Sequence, residues 1–260
     1  MTSTPTPTSP HLSRRTLLRS AGLVSVSGAI LAACGDPVSD APTRLGEAPT
    51  TTALPTVEVT DVVLLRTAMS MEALVHDALT SEIVASGASS THSPVIAAFA
   101  RSHEANLTAL SALVAARGGE PFSEPNPKLM SVYGALALQL VADSDRQDVD
   151  AISLTHALQT LLASTYQTFV TSTVESALRA DMMRLGASAS RRAAVSAQLI
   201  RGGAAAFAPA VDTDGIALVS TLPSAFGSLT AVQVTLGKVT DAGTRTQVSM
   251  DTPSLNSYIY

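Results

Sequence analysis

The chain is short of the residues that build several common classes of protein. One cysteine, Cys34, in 260 residues excludes a disulfide within the chain and a cysteine-paired metal site. Tryptophan is absent and aromatic residues are only 3%. That speaks against an aromatic-rich sandwich or propeller and leaves Ala, Leu, Val, Ser and Thr to fill a core, as packed helices do. Charged residues are 14%, well below the usual rough quarter, and 16 Lys/Arg stand against 21 Asp/Glu for a net of −5. No basic surface can be assembled to neutralise phosphates, so nucleic acid is excluded as a partner. No apolar run beyond residue 34 is long enough to span a bilayer. Gly-x-Ser-x-Gly, Walker, Gly-x-Gly-x-x-Gly and His-Glu-x-x-His motifs are all missing.

What is present begins with an address. Ser13-Arg14-Arg15-Thr16-Leu17-Leu18-Arg19 precedes an uncharged run from Ala21 to Ala33, the layout of a secretory signal. The Arg14-Arg15 pair resembles the twin-arginine export motif, with Leu17 where a Phe is usual. An ordinary secretory signal with a chance Arg pair is the alternative. The run ends Leu31-Ala32-Ala33-Cys34-Gly35, which resembles a bacterial lipobox, so Cys34 is expected to be lipidated and to become the mature N-terminus. The alternative is a secreted protein with a free thiol. Removal of residues 1–33 takes Arg14, Arg15 and Arg19 and no acid, leaving 13 Lys/Arg against 21 Asp/Glu, a net of −8. Such a surface is not drawn to anionic lipid, so acyl chains must do the anchoring. The expected location is the extracytoplasmic face of the cell membrane. The expected partners are the membrane, the twin-arginine translocase and the lipoprotein-processing enzymes. A homo-oligomer is left open. Residues 34–59, rich in Pro, Thr, Ala and Ser, read as a lipidated flexible tether.

From Thr60 the hydrophobic period becomes helical. Val62, Leu65, Met69, Glu72, His76, Leu79 and Ile83 form one stripe, and Ile96, Ala100, His103, Leu107, Leu110 and Val114 a second. Ile152, His156, Gln159, Ala163, Tyr166 and Val170 form a third. Leu178, Asp181, Leu185, Ala189, Arg192, Val195 and Leu199 form a fourth that ends at Gly202-Gly203. Prolines 121, 125 and 127 interrupt the middle. Two helices, a connection of about 30 residues and two more helices predict an all-α four-helix bundle over residues 60–203 with a long crossover between helices two and three. Residues 204–260 form a C-terminal extension. There Val232–Val239 and Thr244–Met250 alternate around Asp241-Ala-Gly243 and predict a β-hairpin.

Each stripe carries polar residues: Glu72 and His76, His103 with adjacent Glu104, His156 and Gln159, and Arg192. A lone buried charge costs several kcal/mol, so these groups should meet one another, water or a metal. The stretches Phe99–Leu107 and Leu178–Ala194 resemble the ferritin-like superfamily, above all its exported bacterial branch, over roughly residues 60–201. The resemblance implies a di-iron or di-manganese site with a Glu on each of two helices and Glu-x-x-His on the other two. Carried onto this chain, the ligands fall on Glu72, on Glu104 with Leu107 in place of His, on Gln159, and on Ala189 with Arg192. Two carboxylates alone do not replace the hydration shells of two metal ions, and Arg192 stays cationic. The expectation is therefore a metal-free, non-catalytic pseudo-site of Glu72, Glu104, Gln159 and Arg192, with no cofactor and with Arg192 paired to Glu72 or Glu104. The alternative is an iron- or manganese-dependent oxidoreductase, or an iron- or peroxide-handling protein, with a rearranged site of Glu72, His76, His103, Glu104 and His156. Asp143, Asp145, Asp148 and Asp150 read as a solvated helix N-terminus.

Overall fold

The computed structural model describes residues 58–203, 206, 208, 210–218 and 231–260. The signal peptide with Arg14 and Arg15, Cys34 and most of the tether lie outside the described residues. The described part is mostly helical, with small two-stranded sheets near its C-terminal end. Helix α1 (Asp61–Thr80) starts where the Thr60 hydroxyl accepts from Val63 N at 3.3 Å, a side-chain N-cap. Ser81 takes an extended ψ of 145° and caps a second short helix, α2 (Glu82–Gly87). The single helix expected over residues 60–87 is thus broken at this point. Helix α3 (Ser93–Ala115) has Pro94 in its first turn, where no backbone donor is needed.

The crossover is helical in part. A turn, α4 (Pro127–Leu129), runs through a π-helical segment (Met130–Gly134) into α5 (Ala135–Ala142). Asn126 ties it down. Its amide donates to Ser70 Oγ at 3.0 Å and to Ser257 O at 2.8 Å, while its Oδ1 accepts from Leu129 N at 3.1 Å. The chain terminus docks on the same stretch of α1, with Ile259 N donating to Thr67 Oγ1 at 2.9 Å.

Helices α6 (Gln147–Ser172) and α7 (Ser176–Arg201) make the most extensive packing in the molecule, followed by α1 with α3; α6 also touches α1. The face that α7 buries is broader than the expected stripe. Leu178, Ala189 and Arg192 are buried as expected, Val195 is 44% exposed, and Met182, Gly186, Ala193 and Ala197 also face inward. Small residues allow a close approach: a Cβ at Gly186 would lie 3.0 Å from Tyr166 Cβ on α6.

Strands β1 (Ala210–Val211) and β2 (Ala217–Leu218) form a short antiparallel pair that the sequence pattern does not announce. The expected hairpin is present as β3 (Val232–Leu236) and β4 (Thr246–Met250), antiparallel, with Val234 opposite Val248. Val232, Val234, Leu236, Val248 and Met250 turn inward and join the helical core. The hairpin is also fixed by charge. Asp150, fully buried, receives Arg245 Nη2 on both oxygens and Gly237 N at 2.8 Å, while Arg245 Nε donates to Gly237 O at 2.7 Å. This corrects the reading of Asp150 as a solvated first-turn acid. Asp148 is likewise engaged, accepting from Ser89 N at 2.7 Å and lying 2.6 Å from His92 Nδ1. No helix among the described residues is long and apolar enough to cross a membrane.

Candidate functional site

Mid-helix polar residues from α1, α3, α6 and α7 meet in the interior. Glu72 of α1 is fully buried, and Tyr166 OH of α6 donates to its Oε1 at 2.5 Å. Asn106 Nδ2 of α3 donates to the same oxygen at 3.1 Å. His103 Nδ1 of α3 lies 2.5 Å from Oε2. Gln159 Nε2 of α6 lies 2.9 Å from His103 Nε2, and Gln159 Oε1 accepts from Arg192 Nε of α7 at 2.7 Å. The Arg192 fork also reaches Ser102 Oγ and Ser188 Oγ, each at 2.9 Å, while its Nη2 is buried with no partner among the described residues.

The order of donors has one self-consistent solution. Arginine only donates, so Arg192 assigns the oxygen of Gln159 to itself and turns the amide nitrogen toward His103. That nitrogen can only donate, so His103 Nε2 accepts and its proton sits on Nδ1, aimed at Glu72. A cation on α7 thereby selects the tautomer of a histidine on α3 with which it shares no bond.

Burial pushes the Glu72 carboxyl up, but the His103 and Tyr166 hydrogen bonds and the Arg192 charge outweigh it and hold Glu72 below its ordinary value. Burial, and then the adjacent Glu72 charge, drive the Tyr166 phenol well above its usual range. Burial lowers Arg192, partly offset by Glu72, and a guanidinium remains charged. The interior thus holds one negative and one positive group in one hydrogen-bonded chain.

Of the expected layer, Glu72, Gln159 and Arg192 come together here, whereas Glu104 does not. Its side chain is exposed, because the residue following His103 on α3 is turned some 100° away by the helical period. Arg192 bonds neither carboxylate; Gln159 and His103 stand between it and Glu72. Sequence reasoning did not assign Tyr166, Asn106, Ser102 or Ser188 to the layer. Tyr166 was legible as a stripe residue seven positions after Gln159, but nothing in the pattern gives a hydroxyl its partner.

The ligand set implied by the ferritin-like resemblance does not fit a pair of metal ions here. Both Glu72 oxygens and both His103 nitrogens are already bonded within the chain, and a guanidinium fills the fourth helix's place. His76 is half-buried, with Nδ1 3.5 Å from its neighbour Asp77, and with Glu104 it lines a groove between α1 and α3. His156 faces α7 instead, its Nδ1 3.0 Å from Ala193 O. Among the described residues no three His, Cys, Asp or Glu side chains are grouped to hold a metal ion. No protein-family model, curated protein or solved structure matches the chain.

Proposed function

We propose that the protein is a lipid-anchored component of the bacterial cell envelope whose helical domain is a ferritin-like four-helix bundle. It serves in binding or assembly, and not in catalysis. The lipid is carried on Cys34, export uses Arg14-Arg15, and the domain stands on the extracytoplasmic face. One observation supports the non-catalytic reading above the rest: both oxygens of Glu72 and both nitrogens of His103 are hydrogen-bonded inside the chain, with Arg192 supplying the balancing positive charge. A site built to take metal presents bare lone pairs, whereas this one closes on itself.

The test is the metal content of full-length protein purified without chelator, together with its melting temperature with and without added Fe²⁺ or Mn²⁺. A ligand that binds the native state raises the melting temperature by mass action. No stoichiometric metal and no shift are expected. Stoichiometric iron or manganese would overturn the reading in favour of a di-metal oxidoreductase.

A further inference from the structure

A groove of about 330 Å³ runs between α1, α2 and the first half of α3. That volume lies at the lower end of the roughly 300–1,000 Å³ typical of small-molecule sites, so it suits one compact ligand. Its floor is apolar: Leu79 and Ile96 are each 3% exposed and Ala100 is 7% exposed. Its rim is ionic, with Arg101 and Glu104 both exposed and both on α3.

The two rim charges are the informative feature. They stand three residues apart on one helix, where opposite charges commonly pair and Cβ atoms are about 5–6 Å apart. Here they do not pair: neither side chain makes an ion pair or hydrogen bond with any described residue. The basic residue precedes the acidic one, the weaker order for a helical pair. On the α1 side the ionisable lining residue, His76, has Asp77 Oδ1 3.5 Å from its Nδ1. The uncompensated charges of the groove are therefore one guanidinium and one carboxylate, side by side above an apolar floor. A ligand of one sign gains at one of them and is opposed by the other. A molecule carrying both signs on neighbouring atoms gains at both, and an aliphatic body attached to them covers the floor.

We infer that this groove binds a hydrophobic α-amino acid. Its carboxylate lies on Arg101, its ammonium on Glu104, and its aliphatic side chain on Leu79, Ile96 and Ala100. The groove shares no residue with the hydrogen-bonded chain of Glu72, His103, Gln159 and Arg192, so this assignment and the metal-free reading of that chain stand or fall separately.

The probe is L-leucine, titrated into methyl-labelled full-length protein while the Ile96 methyl resonances are followed. Saturable binding that moves those resonances is expected. Isocaproate, which lacks the ammonium, and isopentylamine, which lacks the carboxylate, should each bind several-fold more weakly, because each leaves one rim charge unmatched. Glycine, which lacks the aliphatic body, should bind at least about tenfold more weakly. Arg101→Gln and Glu104→Gln should each weaken leucine several-fold at low salt and less at high salt. Ala97→Phe, at an exposed position lining the groove, should fill it and abolish the shift. Should Ala97→Phe fail to fold, the two analogues and the two exposed charge variants decide the matter. No movement at Ile96, equal affinity for leucine and either single-charge analogue, or full binding by any of the three variants would each overturn the assignment.

Discussion

Without Arg192, the Glu72 carboxylate would keep its hydrogen bonds but lose the compensating charge, in an interior where Glu72 is fully buried. Removing one partner of a buried charge pair costs about 3–5 kcal/mol, because the other charge is left alone. Arg192→Ala is therefore expected to lower unfolding free energy by about that amount in denaturant titrations. Arg191→Ala, at an exposed position one residue away, should stay within about 0.5 kcal/mol. Glu72→Gln added to Arg192→Ala should recover part of the loss, and strictly additive losses would refute the coupling. The same substitution should release the Gln159 amide, so the His103 tautomer, read from its imidazole ¹⁵N shifts, should no longer be single.

Two residues should also be visible in the pH dependence of stability, in separate windows. The Glu72 carboxyl is held below 4.5 in the folded protein, so its contribution is complete above that value and is lost as pH falls through the folded pKa. His156 is depressed below 6.5 by burial, so the unfolded chain takes up its proton first and stability falls as pH drops below 6.5. Urea midpoints measured against pH should show His156→Gln flattening the limb just below 6.5. Glu72→Gln should shallow the limb below 4.5 without abolishing it, since Asp148, held down by Ser89 and His92, titrates there too. An unchanged profile in either variant would remove that residue from the account.

At the scale of elements, the close contact of α6 and α7 and the docking of the hairpin are the two features open to test. Gly186→Ala would force a methyl to 3.0 Å from Tyr166 Cβ, where the neighbour is a side-chain root and cannot swing away. A cost of about 1–3 kcal/mol is expected, with Tyr166 displaced from Glu72. The β3–β4 hairpin is held to α6 by Arg245 on buried Asp150. Arg245→Ala should expose amides of β3 and β4 to hydrogen exchange while α1 and α3 keep their protection, because local openings follow such cooperative units. Loss of protection across all helices would mean the hairpin is part of the helical folding unit.

For the whole molecule, the address and the body make separate predictions. Cys34→Ser should move the protein from the membrane fraction to the soluble one, and lysine replacement of Arg14 and Arg15 should block export. The acidic surface left after signal removal offers no electrostatic substitute for acyl chains.

Helical content, the positions of the long helices and the hairpin were all legible in the sequence. Each rests on a repeat, 3.6 for α1, α3 and α6 and 2 for β3 and β4, that burial of apolar side chains enforces locally. On α7 the repeat located Leu178, Ala189 and Arg192 but passed over Gly186, Ala193 and Ala197 beside them, because alanine and glycine score weakly as apolar yet are what a close helix contact needs. The polar layer was legible only as a set of inward positions. Which side chain bonds which depends on donors and acceptors brought within 3 Å from helices more than 30 residues apart, and no local pattern carries that information. Glu104 and His103 are adjacent in the chain, yet one faces solvent and the other completes the network. Asp150 looked like a solvated first-turn acid until residue 245 arrived to pair with it. The sequence by itself determined the elements and their apolar faces, since those follow from local periodicity and capping. Only the tertiary structure decided the partners of the buried charges, because a hydrogen bond is a matter of distance and direction between groups that meet on folding.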